Sequence, residues 1–175
     1  MNAEELRATQ TPLKAKYKET PSAARFTLRA AGRVDVGGQT CSVEAGHGPT
    51  VVAGLHPAAG GGPSGACSGD MLLESLVACA GVTLGAVATA MGITLRDALV
   101  TAEGDLDFRG TLGVSKEVPI GFSEVRLRFD LDTDAPDDQV ANLVRLTERY
   151  CVIFQTLKTP PALSASVARG SVATA

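Results

Sequence analysis

Two cysteines far apart in the chain, Cys79 and Cys151, each lie inside an apolar stretch with helical spacing. Apolar residues recur at three- and four-residue steps around both positions, which is typical of helices that bury one side. A thiol on such a stripe is most often a small core residue. Two thiols on helices that pack together can also form a redox pair, in which a thiolate attacks an oxidant and the second thiol resolves the sulfenic acid. The residues alone leave packing and redox chemistry both open.

The first cysteine helix is predicted to follow the glycine-rich loop 60–65 and to end at Gly92. Ser68 or Asp70 can cap its first turn, and the negative charge of Asp70 suits that end of a helix. Its polar residues are confined to its first turns, so it is too apolar for the surface of a small monomer. We therefore infer that a second copy of the chain covers part of it.

The second cysteine lies in a stretch that is predicted as one helix from Pro136 to Leu157. Two aspartates open this helix, and Lys158 with a following Pro-Pro pair closes it. Cys151 is placed mid-helix by this prediction. Arg149, close beside it, could lower the pKa of the thiol or simply face water.

The remaining elements are predicted to be strands, because polar and apolar residues alternate in them. A hairpin turn is predicted at Gly37-Gly38, and strands are predicted at 25–30, 40–44, 51–52, 95–106, 121–132 and 162–168. This order of strands and helices predicts an α+β fold with mainly antiparallel sheet. We divide the chain into an arm or short helix at 1–22, one domain at 23–170 and a frayed tail at 171–175. The helix in the arm, over 3–18, is predicted to be interrupted at Thr11-Pro12.

Composition narrows the classes of function. A chain of 175 residues suits one domain, and its net charge of −3 gives no electrostatic argument for nucleic acid or an anionic membrane. The acidic N-terminus lacks the features of a secretory signal, and no apolar run reaches transmembrane length by inspection. We therefore expect a cytoplasmic protein in which four cysteines favour thiol chemistry over a disulfide framework.

A metal site is not expected. The four cysteines, with His47 and His56, would supply enough ligands, but no pair has zinc-site spacing. Cys67 precedes a helix start and could be reactive, whereas Cys41 is predicted to be an inert strand residue. His56 lies in the glycine-rich loop and is interpreted as a loop residue. No cofactor is predicted.

Three segments carry a resemblance to a known family. The segment from Gly-Gly-Pro-Ser-Gly65 through Gly69-Asp-Met-Leu-Leu-Glu-Ser-Leu-Val-Ala-Cys-Ala-Gly-Val-Thr-Leu84 is followed by Gly104-Asp-Leu-Asp-Phe-Arg-Gly110 and Glu148-Arg-Tyr-Cys151. In this order they resemble the OsmC/Ohr family of osmotically inducible and organic-hydroperoxide-resistance proteins, over about 25–167. The resemblance implies an OsmC-like α+β fold, in which antiparallel sheets wrap two long central helices in an intertwined homodimer with sites at the interface.

The resemblance also implies a chemistry. Cys79 would attack an organic hydroperoxide, Cys151 would resolve the product through an intramolecular disulfide, and a dithiol such as a lipoylated protein would reduce the pair again. The family adds an arginine and a carboxylate, for which Arg25 and Asp70 are the candidates here. Arg29 and Arg33 are alternatives to Arg25, and the family's Asn-Pro-Glu is replaced by residues 68–70, Ser-Gly-Asp. As residues alone, Arg25 also suits a solvated strand face, and Asp70 a first helical turn.

Two other functions are compatible with the same residues. One is an OsmC-like protein that binds a small apolar ligand without efficient turnover. The other is a redox-sensing protein that passes a disulfide to a partner. Peroxide reactivity and thiol exchange would distinguish these from a peroxidase.

Overall fold

The computed structural model describes residues 1–44, 46, 48–62 and 65–170. Within these residues it has five α-helices and six strands. The helices are α1 (Ala3–Glu19), α2 (Ser68–Met91), α3 (Phe108–Thr111), α4 (Asp137–Tyr150) and α5 (Val152–Lys158). The strands are β1 (Gly32–Asp35), β2 (Thr40–Val43), β3 (Val51–Gly54), β4 (Ala66–Cys67), β5 (Asp97–Asp105) and β6 (Glu124–Asp132). The predicted frayed tail, 171–175, lies outside the described residues.

The strands form two sheets within the described residues. One has the order β1-β2-β3-β4, with antiparallel pairs except for the parallel pair β3–β4, and the other is the antiparallel pair β5–β6. The turn predicted at Gly37-Gly38 joins β1 to β2 and is confirmed. The predicted α+β class with mainly antiparallel sheet is therefore confirmed.

Two predicted strands are wrong. Residues 25–30 and 162–168 show the alternation of a strand but belong to neither sheet. Their apolar side chains are exposed, Phe26 by 75% and Leu28 by 91%. A strand needs a neighbour that pairs with its backbone N–H and C=O groups, and the described part of the chain offers none there. The alternating pattern indicates a preference for strand structure, but these segments do not form strands in a single copy of the chain.

Helix α2 is the centre of the fold. Its buried residues, Leu76, Ala80, Leu84 and Ala88, recur every four positions. Leu84 and Ala88, in the C-terminal half of this stripe, pack with Ile93 and with the fully buried Leu143 of α4. Burial of the Leu143 side chain contributes roughly 1.5–3 kcal/mol to stability. Partly buried side chains of β5 and β6 close the cluster on the other side. The β5–β6 sheet thus lies against one side of α2, with α4 beside it.

The ends of α2 differ in part from the prediction. The helix ends at Gly92, which has φ +70° and supplies the left-handed stop that was predicted. At the other end Cys67 is the N-cap residue and gives no side-chain cap, so neither Ser68 nor Asp70 has the predicted capping role. The helix begins earlier than expected because β4 leads directly into it.

One side of α2 is uncovered. Val82 is 77% exposed, and Ala78 and Ala86 on the same side are exposed as well. By length and composition alone this helix could cross a membrane. This differs from the expectation that no apolar run reaches transmembrane length. Its buried stripe, however, packs against α4 and the β5–β6 sheet as a core helix does. The homodimer inferred from its apolar character stays a prediction.

The predicted helix 136–157 is two helices. Helix α4 ends at Tyr150 and α5 begins at Val152, and Cys151 between them has extended backbone angles, φ −72° and ψ 111°. Cys151 is therefore a junction residue, and its mid-helix placement was wrong. The Gln155 side chain donates a hydrogen bond to the Glu148 carbonyl oxygen at 2.8 Å, which satisfies a group that the break leaves free.

Helix α1 is continuous, so the predicted interruption at Thr11-Pro12 is also wrong. Pro12 lies within a helix that spans Ala3–Glu19. A capping box stabilises its start: the Asn2 side chain accepts from the Glu5 N–H at 2.9 Å, and the Glu5 carboxylate accepts from the Asn2 N–H at 2.9 Å. The capping box and the helix-forming residues on both sides of Pro12 stabilise the helix by more than the loss of one backbone hydrogen-bond donor at proline destabilises it.

Candidate active site

The two cysteines singled out in the sequence lie together. Cys79, from α2, packs against Cys151 at the α4–α5 junction. Cys151 is fully buried, whereas Cys79 is half-buried. The buried residues Leu76 and Ala80 belong to the same cluster. Partly buried apolar side chains surround it: Val100, Ala102, Val125, Leu127, Phe129, Ile153 and Phe154.

The surroundings of Cys79 favour its thiolate. Burial raises the pKa of this thiol, but hydrogen bonds from the Ile153 N–H, the Cys151 thiol and the Val152 N–H lower it. Their combined effect exceeds that of burial, so the pKa of Cys79 lies below its ordinary value. The break at Cys151 produces this arrangement, because it frees the first N–H groups of α5 to face the sulfur.

Thr83 is a further neighbour of the thiol. Its hydroxyl lowers the pKa of Cys79, and it follows Cys79 by one helical turn. In this structure the hydroxyl donates its proton to the Cys79 carbonyl oxygen at 2.7 Å. One proton cannot serve both acceptors, so Thr83 contributes less to the thiolate than the backbone donors do.

Cys151 has the opposite character. Burial raises the pKa of Cys151, although the Phe154 N–H, which donates to its sulfur at 3.5 Å, lowers it. The neighbouring Cys79 raises it further, because a thiolate there favours a thiol that keeps its proton. The pair therefore divides into Cys79 as the thiolate and Cys151 as the proton-bearing partner.

Asp70 and Arg25 are not brought to Cys79 within one chain. Asp70 precedes Cys79 by nine helical residues, which is about 13.5 Å along the axis and two and a half turns, so the two side chains leave opposite sides of α2. Arg25 follows the short 3₁₀ turn Pro21–Ala24 and is exposed. Among the described residues its side chain forms no ion pair, and the same is true of Arg29 and Arg33.

The remaining residues considered in the sequence, Arg149, His56, Cys41 and Cys67, lie away from the Cys79 sulfur or contact other side chains. The Arg149 guanidinium lies 5.6 Å from the centre of the Tyr150 ring. His56 Nδ1 accepts from the Ala58 N–H at 3.0 Å, and its ring stacks on Phe108 with 4.8 Å between centroids. Cys41 lies in β2, and Cys67 ends β4, both half-buried and outside the cysteine cluster.

A metal centre has no support in the described part of the chain. No group of three His, Cys, Asp or Glu side chains there could hold a metal ion. His47, one of the two histidines considered in the sequence, lies outside the described residues.

A groove of about 490 Å³ opens beside the cysteine cluster. It shares Leu76, Val125, Leu127 and Phe154 with that cluster, although neither cysteine lines it. Its remaining lining residues come from α2, from the start of β6 with the residues just before it, and from the end of α5: Leu72, Gly121, Phe122, Ser123, Glu124, Leu157 and Lys158. The groove therefore places an apolar surface next to the side chains that hold the thiol pair.

Phe122 forms part of this wall by packing over two glycines. A Cβ atom at Gly104 would lie 2.6 Å from the ring, and one at Gly69 would lie 3.4 Å from it. A glycine within a strand marks such a close approach, so Gly104 is the sequence signal that could have placed Phe122. The backbone donors Val152 and Ile153 have no comparable signal, because helical periodicity does not show a break of one residue.

The fold and the site define a class: an α+β protein with a thiol pair between its central helix and a broken helix. The chain belongs to the OsmC-like protein family, whose model matches residues 60–166. The resemblance seen in the sequence is thereby confirmed. A comparison with curated protein sequences gives no match.

Solved structures share the fold. The OsmC-like protein from Mycoplasma pneumoniae is 15% identical, covers 77% of this chain and 89% of its own, and superposes with a TM-score of 0.64. An organic hydroperoxide resistance protein from Elizabethkingia anophelis is 16% identical over 78% of this chain and 91% of its own, with a TM-score of 0.61. A Legionella pneumophila protein, described as an organic hydroperoxide resistance protein OsmC and a predicted redox protein, is 19% identical over 78% and 92%, with a TM-score of 0.59.

Proposed function

We propose that this protein is a cysteine-based peroxidase that reduces organic hydroperoxides. One observation carries the proposal: Cys79, whose surroundings favour a thiolate, contacts a buried Cys151 that keeps its proton. A peroxidase needs both states, because the thiolate is the nucleophile and the second thiol must survive until the sulfenic acid forms. Membership of the OsmC-like family and the names of two solved relatives are consistent with this chemistry.

The reaction proceeds in two steps. The Cys79 sulfur attacks the terminal oxygen of the hydroperoxide, the O–O bond breaks, and the alkoxide takes up a proton and leaves as an alcohol. Cys79 is then a sulfenic acid. The Cys151 sulfur attacks it, an S–S bond forms, and the hydroxyl leaves with the Cys151 proton as water. A dithiol, such as a lipoyl group on a carrier protein, restores both thiols by thiol–disulfide exchange.

The surroundings favour an organic substrate. The cluster around the pair is apolar, and the adjoining groove offers Leu72 and Leu157, both more than a third exposed, to an alkyl or aryl group. Covering such surface by a ligand is favourable in proportion to the apolar area removed from water. Hydrogen peroxide has no apolar part, so its binding gains no free energy from this apolar surface.

We further propose that the active form is a homodimer in the cytoplasm, with Arg25 and Asp70 contributing to the site across the interface. The uncovered side of α2 and the exposed, strand-like segment 25–30 support a second copy. Since neither Arg25 nor Asp70 reaches Cys79 within one chain, their proposed role is to act on the partner subunit's thiolate. An arginine there would hold the thiolate and polarise the peroxide, and Asp70 would orient the guanidinium.

Mixed dimers test the role of Arg25. Cys79→Ser and Arg25→Ala homodimers should each lose most of their peroxidase activity. Co-refolding equal amounts gives heterodimers in about half of the population. Each heterodimer contains one site with both Cys79 and Arg25 if the arginine crosses the interface, so about a quarter of the wild-type activity should return. No recovery above the sum of the two homodimers would contradict the crossing. Arg7→Ala in place of Arg25→Ala is the control, because Arg7 is exposed on α1 and is not a candidate for this arginine.

Stoichiometric oxidation tests the function itself. The reduced protein, treated with one equivalent of cumene hydroperoxide, should lose two hydrogens within seconds. Peptide mapping by mass spectrometry should place the new link between Cys79 and Cys151, because those two thiols are in contact. Cys41 and Cys67, which lie outside the cluster, should stay reduced and serve as internal controls.

The apolar groove favours a second function, the binding of a small apolar ligand without turnover. Oxidation that is slow, absent or spread over Cys41 and Cys67 would contradict the peroxidase. A peroxide-inert protein whose melting temperature rises with a fatty acid would support the ligand-binding alternative. Slow reaction with peroxide but fast disulfide exchange with another thiol protein would support the redox-sensing alternative.

A further inference from the structure

Among the described residues that line the groove beside the cysteine cluster, one has a cationic side chain. Lys158 ends α5 and lines the groove, and its ammonium lies 6.0 Å from the centre of the Phe154 ring. Glu124 lines the groove too, and its carboxylate is 3.2 Å from an Arg126 nitrogen, an arginine that also contacts Glu103 and Asp105. Among the described residues Lys158 forms no ion pair. The groove thus offers an apolar wall and an ammonium group that is available to an anion.

The positions of the lining residues along α2 and α5 relate the groove to the cysteine pair. Leu76, on its wall, precedes Cys79 by less than one turn of α2. Lys158 lies at the far end of α5, seven residues beyond Cys151, which is about 10 Å along a helix axis. Phe154 and Leu157 lie between these ends on the same helix. A chain molecule held at Lys158 can therefore run over apolar side chains toward the cysteine pair.

We propose that Lys158 determines specificity by binding the carboxylate of an amphipathic substrate whose apolar chain occupies the groove. That the other end of this substrate reacts depends on the peroxidase function proposed above. The binding of its carboxylate does not depend on that function. A lysine suits this position because its aliphatic stem packs on apolar neighbours while its ammonium stays at the wet end. A neutral ester or alcohol of the same chain length would keep the apolar contacts and lose the charge pair.

A binding experiment without turnover tests the proposal. In the Cys79→Ser background, calorimetry would compare decanoate with 1-decanol. The expected result is tighter binding of decanoate, and Lys158→Met should reduce that preference about 1.5- to fivefold, the range for an exposed charge pair. Methionine keeps the apolar contacts, so the affinity for 1-decanol should not change. Lys14→Met, on α1 and outside the groove, is the matched control and should leave both affinities unchanged.

Three outcomes would overturn the role of Lys158. They are equal weakening of both ligands, no weakening of either, and a change in oligomeric state without a change in affinity, which would place a second copy of the chain in the groove. Because neither ligand reacts, a protein that fails the disulfide experiment can still pass this one. In an active protein, Lys158→Met should lower kcat/KM for a hydroperoxide that bears a carboxylate by the same factor, and leave that for its methyl ester unchanged.

Discussion

Replacing Cys79 with serine should abolish the consumption of organic hydroperoxide and leave the fold intact. A serine hydroxyl does not ionise near neutral pH and reacts poorly with peroxide, so the rate should fall by at least about a thousandfold. The side chains have nearly the same shape, and the position is only half-buried. The hydroxyl can still accept from the Val152 and Ile153 N–H groups that face the sulfur. The free energy of unfolding should therefore change by less than about 1 kcal/mol.

Peroxide consumption, the melting temperature and the oligomeric state should be measured together on this variant. Cys67→Ser is the matched control, since Cys67 is also half-buried and lies at the start of the same helix but outside the cysteine cluster. It should retain full activity. An unfolded Cys79→Ser protein would indicate that Cys79 is a packing residue, and an active one would exclude it as the nucleophile.

Periodicity predicted β5 and β6, which pair with each other within the chain, but it did not predict β1 or β4, which also find partners there. Strands β5 and β6 alternate cleanly, and they pair with each other over their full length from Asp97–Asp132 to Asp105–Glu124. The segments 25–30 and 162–168 alternate in the same way, yet they are not strands here. The difference does not lie in their residues, because pairing depends on a neighbour that local sequence does not describe.

The two thiols of the candidate site could be predicted from the sequence, but the groups that surround them could not. Cys79 and Cys151 could be selected from their stripes and from the family resemblance. The donors that separate their pKa values are backbone N–H groups of Val152 and Ile153, which any sequence supplies. Only the break at Cys151 aims them at the sulfur, and a single extended residue leaves the apolar pattern of α4 and α5 unchanged. Asp70 and Arg25 came from the resemblance alone, and one chain does not bring them to the thiol.

Cys151→Ser and Cys151→Ala should separate the resolving role of this residue from its structural one. Both remove the resolving thiol, so Cys79 should form a sulfenic acid once and then oxidise further to the sulfinic acid, and turnover should stop after the first cycles. Mass spectrometry should show the addition of two oxygen atoms at Cys79 in place of the loss of two hydrogens. A variant that keeps turning over at the wild-type rate would exclude Cys151 as the resolving thiol.

The two variants should differ in stability and in the reactivity of Cys79. The Cys151 sulfur accepts from the Phe154 N–H and so caps α5. Serine keeps such a cap, whereas alanine loses it and should be less stable than serine by about 0.5–2 kcal/mol. Serine also retains a donor toward Cys79, and alanine removes the hydrogen bond that lowers the pKa of that thiol. Iodoacetamide should therefore alkylate Cys79 at neutral pH more slowly in Cys151→Ala than in Cys151→Ser, and equal rates would show that the backbone N–H groups alone hold the thiolate.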